Sequence, residues 1–116
     1  MNLAKTIAKF ASDKKAEDIL VLDMREVVNF CDYFVISSGS SDRHVKAIAD
    51  GIEEGLHDLG IKIKLREGLK QCDWVILDAG DVVVHTFVND LREFYGLEYL
   101  WQEAKKIKWE TKSKKK

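Results

Sequence analysis

Two carboxylates and an imidazole, Asp78, Asp81 and His85, lie within one short stretch, CDWVILDAGDVVVHTFV from Cys72 to Val88. Residues of these types could hold a divalent metal or move a proton. A plainer reading competes with that chemistry. Asp78 and Asp81 bracket Ala79-Gly80, and Asp side chains in turns bond nearby backbone N–H groups. A histidine on a strand is accounted for by one hydrogen-bonded ring nitrogen. No Ser or Cys nucleophile with a paired base stands nearby. No catalytic, metal-binding or cofactor-binding residue is assigned, and the protein is read as a binding module without enzymatic activity.

Gly39-Ser40 is a second candidate. Small residues between a strand and a helix leave backbone N–H groups free, and a helix N-terminus favours an anion. Nucleotidyltransferases use such a Gly-Ser turn to hold a triphosphate, together with paired carboxylates on the next strand for Mg²⁺. Here the next strand, Ile61 to Leu65, has no acid, so half of that site is missing. Arg43-His44 opens the following helix, where positive charge opposes the dipole. That placement hints at a partner or an anion. Trp74, Phe87, Phe94, Tyr95, Tyr99 and Trp101 are aromatic residues of the kind that anchor protein interfaces when they are not core.

The elements that would position these groups follow from periodicity. Leu3, Ile7, Phe10 and Ala11 share one helical stripe, ending near Ser12 to Lys15. Ile19 to Leu22 is a short strand, Val27 to Cys31 is ambiguous, and Asp32 to Ser37 is a second strand. Val45, Ile48, Ala49, Ile52, Leu56 and Leu59 predict a long helix closed by Gly60. Ile61-Lys62-Ile63-Lys64-Leu65 alternates strictly and predicts an edge strand with one wet face. Arg66-Glu67-Gly68 turns the chain toward a β-hairpin, whose arms are Trp74–Leu77 and Val82–Phe87. Neither arm alternates with polar residues, so both faces should be covered. Asn89 or Asp90 caps a short helix through Tyr95, and a last helix runs from Leu97 toward Ile107. The class is α/β (α+β), with a mixed five-stranded sheet flanked by helices.

With 116 residues, the chain is the size of one domain. It has no apolar run of the roughly 20 residues that a membrane span requires, and MNLAKTIAKF lacks a signal peptide's apolar core. A cytoplasmic location is expected. Cys31 and Cys72 are isolated thiols, read as reduced and structural. From Lys105 onward seven lysines face one glutamate, a local charge of +6, which leaves −7 on residues 1–104. An acidic body suits a basic protein surface better than nucleic acid. Residues 105–116 are read as a disordered lysine-rich tail, with a nucleic-acid contact as the lesser alternative.

Three segments resemble the ribosomal silencing factor (Iojap-like) family over about residues 3 to 104. They are Asp32-Tyr33-Phe34-Val35-Ile36-Ser37-Ser38-Gly39 with Ser41-Asp42-Arg43-His44-Val45; Trp74 through His85; and Phe94-Tyr95-Gly96-Leu97-Glu98-Tyr99-Leu100-Trp101. The resemblance implies a nucleotidyltransferase-like fold that has lost its catalytic acids. It also implies binding to ribosomal protein uL14 on the large (50S) subunit, steric blocking of small-subunit joining, and repression of translation under nutrient limitation. Carried over residue by residue, the uL14-binding surface is Trp74, Leu77, Asp78, Gly80, Asp81 and His85, flanked by Arg92 and Tyr95. Arg43 and His44 are a secondary contact. The family often has a larger apolar or aromatic residue where this chain has Ala79.

Two other functions are weighed against this one. One is a nucleotide-binding or nucleotidyltransferase-like domain using Gly39-Ser40, and the other is an RNA-binding module using the lysine tail. The Ile61–Leu65 edge is a candidate surface for a homodimer. No membrane or DNA partner is expected.

Overall fold

A computed structural model describes residues 3–89 and 104–109. The element order is α1 (Leu3–Asp13), β1 (Glu17–Asp23), β2 (Tyr33–Gly39), α2 (Asp42–Asp58), β3 (Leu65–Glu67), β4 (Trp74–Asp78), β5 (Val82–Val88) and β6 (Lys105–Ile107). The strands form one sheet in the order β3-β4-β5-β2-β1-β6. Only β2 and β5 run parallel, and every other pair is antiparallel.

Helices α1 and α2 cover one face of the sheet. The buried stripe of α1 is Ala4, Ile7, Ala8 and Ala11, and that of α2 is Val45, Ile48, Ala49, Ile52 and Leu56. They pack on Val21, Val35, Val75, Leu77, Val82 and Val84. The helices approach closely because α2 carries Gly55 at the crossing: a Cβ there would lie 2.5 Å from the Phe10 ring. Ser41 caps α2, its Oγ accepting from His44 N–H at 3.1 Å. Gly60, at φ +76°, ends the helix in the left-handed conformation. The opposite sheet face is a second apolar cluster of Leu22, Phe34, Ile36, Val83 and Phe87 under Met24, Cys31 and Ala104. Both faces of the hairpin are therefore covered, as its unbroken apolar runs imply.

Three expectations are corrected. The sheet has six strands rather than five, because Lys105–Ile107 pairs with β1 in place of a helix running toward Ile107. Trp109 extends that attachment, donating its indole N–H to the Ile19 carbonyl at 3.3 Å. The lysine-rich segment thus begins as an edge strand, where Lys105 and Lys106 are exposed. The second correction concerns Ile61–Leu65. Ile61 and Ile63 do pack on the core and Lys62 and Lys64, which alternate with them, are exposed, but the ladder to β4 starts only at Leu65. Alternation reports one wet face and says nothing of whether a partner strand lies alongside. Third, Arg66 and Glu67 belong to that strand, not to a turn. The short helix expected after Asn89 and the start of the last helix at Leu97 fall on 90–103, outside the described residues.

Candidate functional site

The hairpin turn is built by its own side chain and backbone. Gly80 N–H donates to Asp78 Oδ1 at 2.8 Å, and Ala79 N–H to the Val82 carbonyl at 2.9 Å. Gly80 sits at φ +95°, a conformation other residues rarely adopt. The Asp81 carbonyl accepts from Asp32 N–H at 2.7 Å and Tyr33 N–H at 3.1 Å. The turn is thereby joined to the start of β2 and to the loop that precedes it. The Asp78 carbonyl accepts from Lys64 N–H at 2.7 Å. With its backbone committed in this way, the turn holds the exposed Asp81 side chain at a set place on the surface.

The sequence candidates separate into distinct regions. Asp78, Gly80 and Asp81 form the turn. Trp74 and His85 lie on the sheet face away from the helices, where the Trp74 ring stands 4.9 Å from Phe87 and the His85 ring 4.7 Å from Phe34. Leu77 is 1% exposed beneath the helices. Its side chain cannot touch a partner, and its inclusion as a contact residue is corrected: it holds β4 in place. Arg92 and Tyr95 lie outside the described residues. Arg43 and His44 are at the other end of the sheet, a strand length of roughly 20 Å from the Asp81 turn.

Asp78, Asp81 and His85 do not converge as a reactive set. His85 is opposite Ile76 and Asp78 opposite Val83 in the β4–β5 register, while Asp81 is exposed in the turn. Trp74 donates its indole N–H to His85 Nδ1 at 3.3 Å, and His85 Nε2 is buried without a hydrogen-bond partner among the described residues. Burial pushes the imidazole down to about 4. Among the described residues, no group of three or more His, Cys, Asp or Glu side chains could hold a metal ion. Both cysteines are free and buried. Burial, followed by the charges of Asp32 and Asp78, pushes the Cys31 thiol up to about 11.

The Gly39-Ser40 turn is similarly occupied from within. Ser40 N–H donates to His44 Nδ1 at 2.9 Å, and His44 Nε2 reaches the Lys14 carbonyl at 2.9 Å. With Nδ1 accepting, Nε2 is the ring nitrogen that donates to the carbonyl. His44 thus ties the end of α1 to the start of α2. The N–H that an anion would need is already bonded. A Cβ on Gly39 would lie 3.0 Å from Val45 N, so the glycine serves close strand–helix packing.

The loop before β2 escaped sequence reasoning. Phe30 is 61% exposed there, two residues before Asp32, whose N–H bonds the Asp81 carbonyl of the turn. The available signal was an aromatic residue in a segment, Val27 to Cys31, that fits neither strand nor helix period.

Comparison with known proteins bears on what this surface serves. A family model described as "Ribosomal silencing factor during starvation" matches residues 1–116. Ribosomal silencing factor RsfS of Bacillus subtilis is 46% identical over 103 residues, covering 89% of this chain and 87% of that protein. "Mitochondrial assembly of ribosomal large subunit protein 1" of Mus musculus is 35% identical over 92 residues, 76% of this chain and 40% of its own. A crystal structure of a Chromobacterium violaceum protein aligns with TM-score 0.83 and 31% identity, covering 99% of this chain and 98% of that one.

Proposed function

This chain belongs to the ribosomal silencing factor family, a family of ribosome-associated regulators, and from that premise we propose that it binds uL14 on the large subunit. Occupying that face blocks joining of the small subunit and represses translation when nutrients are scarce. The action is occlusion: no bond is made or broken, and neither catalytic residue nor cofactor takes part. The cytoplasm is where it acts.

The observation that supports the hairpin as the contact is its internal completeness. Asp78 and its neighbours satisfy the turn's own backbone, which leaves the Asp81 carboxylate exposed and without an ion pair among the described residues. An acidic group presented on a set backbone favours fast, specific encounter with a basic protein surface. Trp74, half-buried beside Phe87, adds an aromatic anchor. Arg92 and Tyr95 complete the proposed surface. Arg43 and His44, at the far end of the sheet, are assigned no part in it.

Asp81→Arg tests this reading. We expect weakened pelleting with purified 50S subunits and restored 70S formation from 30S and 50S, with the melting temperature unchanged. Wild-type pelleting by Asp81→Arg would remove the hairpin from the contact. The nucleotide-binding alternative requires an anion to displace His44 from Ser40 N–H, and titration with a nucleoside triphosphate and Mg²⁺ measures it directly. A homodimer would use β3, the sheet edge on which Leu65 is exposed; sedimentation of the Leu65→Lys variant reads that out.

A further inference from the structure

Phe30 holds its ring in solvent while Phe34, 6.4 Å away between centroids, is 3% exposed. A single exposed apolar residue is ordinary. What distinguishes Phe30 is the loop that carries it. Met24 and Cys31, at the loop's two ends, are buried. Met24 N–H bonds the Asp32 carbonyl at 2.8 Å, and Val27 and Val28 N–H both bond the Met24 carbonyl at 3.0 Å. The loop therefore has a defined shape, and a shallow groove of about 440 Å³ runs along Arg25 to Phe30.

The same loop is joined to the hairpin turn. Asp32 and Tyr33 N–H donate to the Asp81 carbonyl, and Asp78 is near enough for its charge to bear on Cys31. The surroundings of Phe30 are acidic. Arg25 is engaged by Asp23 through bonds of 2.9 and 2.7 Å and lies over the Tyr33 ring, so its charge is locally balanced. Glu26, Asp32 and Asp81 are exposed and make no ion pair among the described residues.

We infer that the Phe30 loop and the Asp78–Asp81 turn form one docking face, with Phe30 as its apolar anchor and Glu26, Asp32 and Asp81 as its acidic rim. The occupant is the basic protein surface on the large subunit, so the inference rests on the function proposed above. An apolar anchor inside a charged rim is the arrangement in which binding energy concentrates on the anchor and the charges steer approach. The partner must offer an apolar notch flanked by Lys or Arg.

Phe30→Ala and Asp81→Arg, measured side by side by pelleting with purified 50S subunits at two salt concentrations, test it. Phe30→Ala should weaken binding about tenfold with the wild-type salt dependence, whereas Asp81→Arg should weaken binding and also reduce that dependence. Far-UV circular dichroism and melting temperature should not change for Phe30→Ala. If its melting temperature falls, Phe30→Leu, which keeps the apolar contact with Phe34, carries the test, with an expected loss of about threefold. Phe30→Ala (or Phe30→Leu) at wild-type affinity beside a weakened Asp81→Arg overturns the anchor and leaves the hairpin reading standing. A weakened Phe30 variant beside an unaffected Asp81→Arg overturns the joint face. Wild-type protein that fails to pellet with 50S overturns both readings.

Discussion

Across the β4–β5 pair, the indole N–H of Trp74 points at Nδ1 of His85 at 3.3 Å. That bond requires Nδ1 to be unprotonated, so the imidazole carries its single proton on the buried Nε2. The ring is held neutral among Trp74, Phe34 and Phe87.

A pH dependence of stability follows. Burial lowers the His85 pKa from 6.5 to about 4 in the folded chain. Above pH 6.5 the ring is neutral in both states and contributes no slope. As pH falls from 6.5 to about 4 only the unfolded chain takes up this proton, and stability declines by roughly 3 kcal/mol in total. Urea unfolding of wild type and His85→Phe at several pH values between 4 and 7.5 isolates the effect in the difference. A difference that does not change with pH would show that another group carries the dependence.

Asp78 and Asp81 should behave differently on substitution. Asp78 Oδ1 accepts the Gly80 N–H within the turn, so Asp78→Ala is expected to cost about 1 kcal/mol of stability, while Asp78→Asn retains the acceptor. Asp81→Ala should leave stability within about 0.5 kcal/mol. Guanidinium unfolding of the three variants makes the comparison, and equal costs at both positions would contradict the assigned roles.

Gly68 marks where β3 meets β4. It sits at φ +83°, and a Cβ there would fall 1.9 Å from the Trp74 carbonyl oxygen, a backbone atom with no freedom to swing aside. Gly68→Ala is expected to cost at least about 2 kcal/mol and lower the melting temperature by about 10 °C. A thermal melt decides it.

His44 bonds both Ser40 N–H and the Lys14 carbonyl. His44→Ala should destabilise the fold by about 1–2 kcal/mol through loss of those two bonds, and leave 50S binding at the wild-type level. A loss of binding without a loss of stability would return His44 to the contact surface.

Much of this was legible from local pattern. The stripes of α1 and α2, the Gly60 stop and the Asp-Ala-Gly-Asp hairpin all depend on neighbours a few residues apart, and that is the range over which helix period and turn chemistry act. The covered faces of β4 and β5 were legible too, because an unbroken apolar run leaves no side for water. The family resemblance rested on the same ordered motifs.

Sequence alone thus determined the two long helices, the first two strands and the hairpin, and that an acidic, aromatic-bearing surface without a complete catalytic set was available. Tertiary structure decided which residues share that surface. A period of two places Leu77 and Asp78 on opposite faces but does not say which face lies under the helices; α1 and α2 settle that by burying Leu77. Lys105–Ile107 is a strand only because β1 presents an open edge to it. The loop that carries Phe30 is joined to the hairpin turn only because Asp32 and Tyr33, far from Asp81 in the chain, donate to its carbonyl. Contacts between residues so distant depend on the whole sheet closing at once, and no local window of residues contains that information.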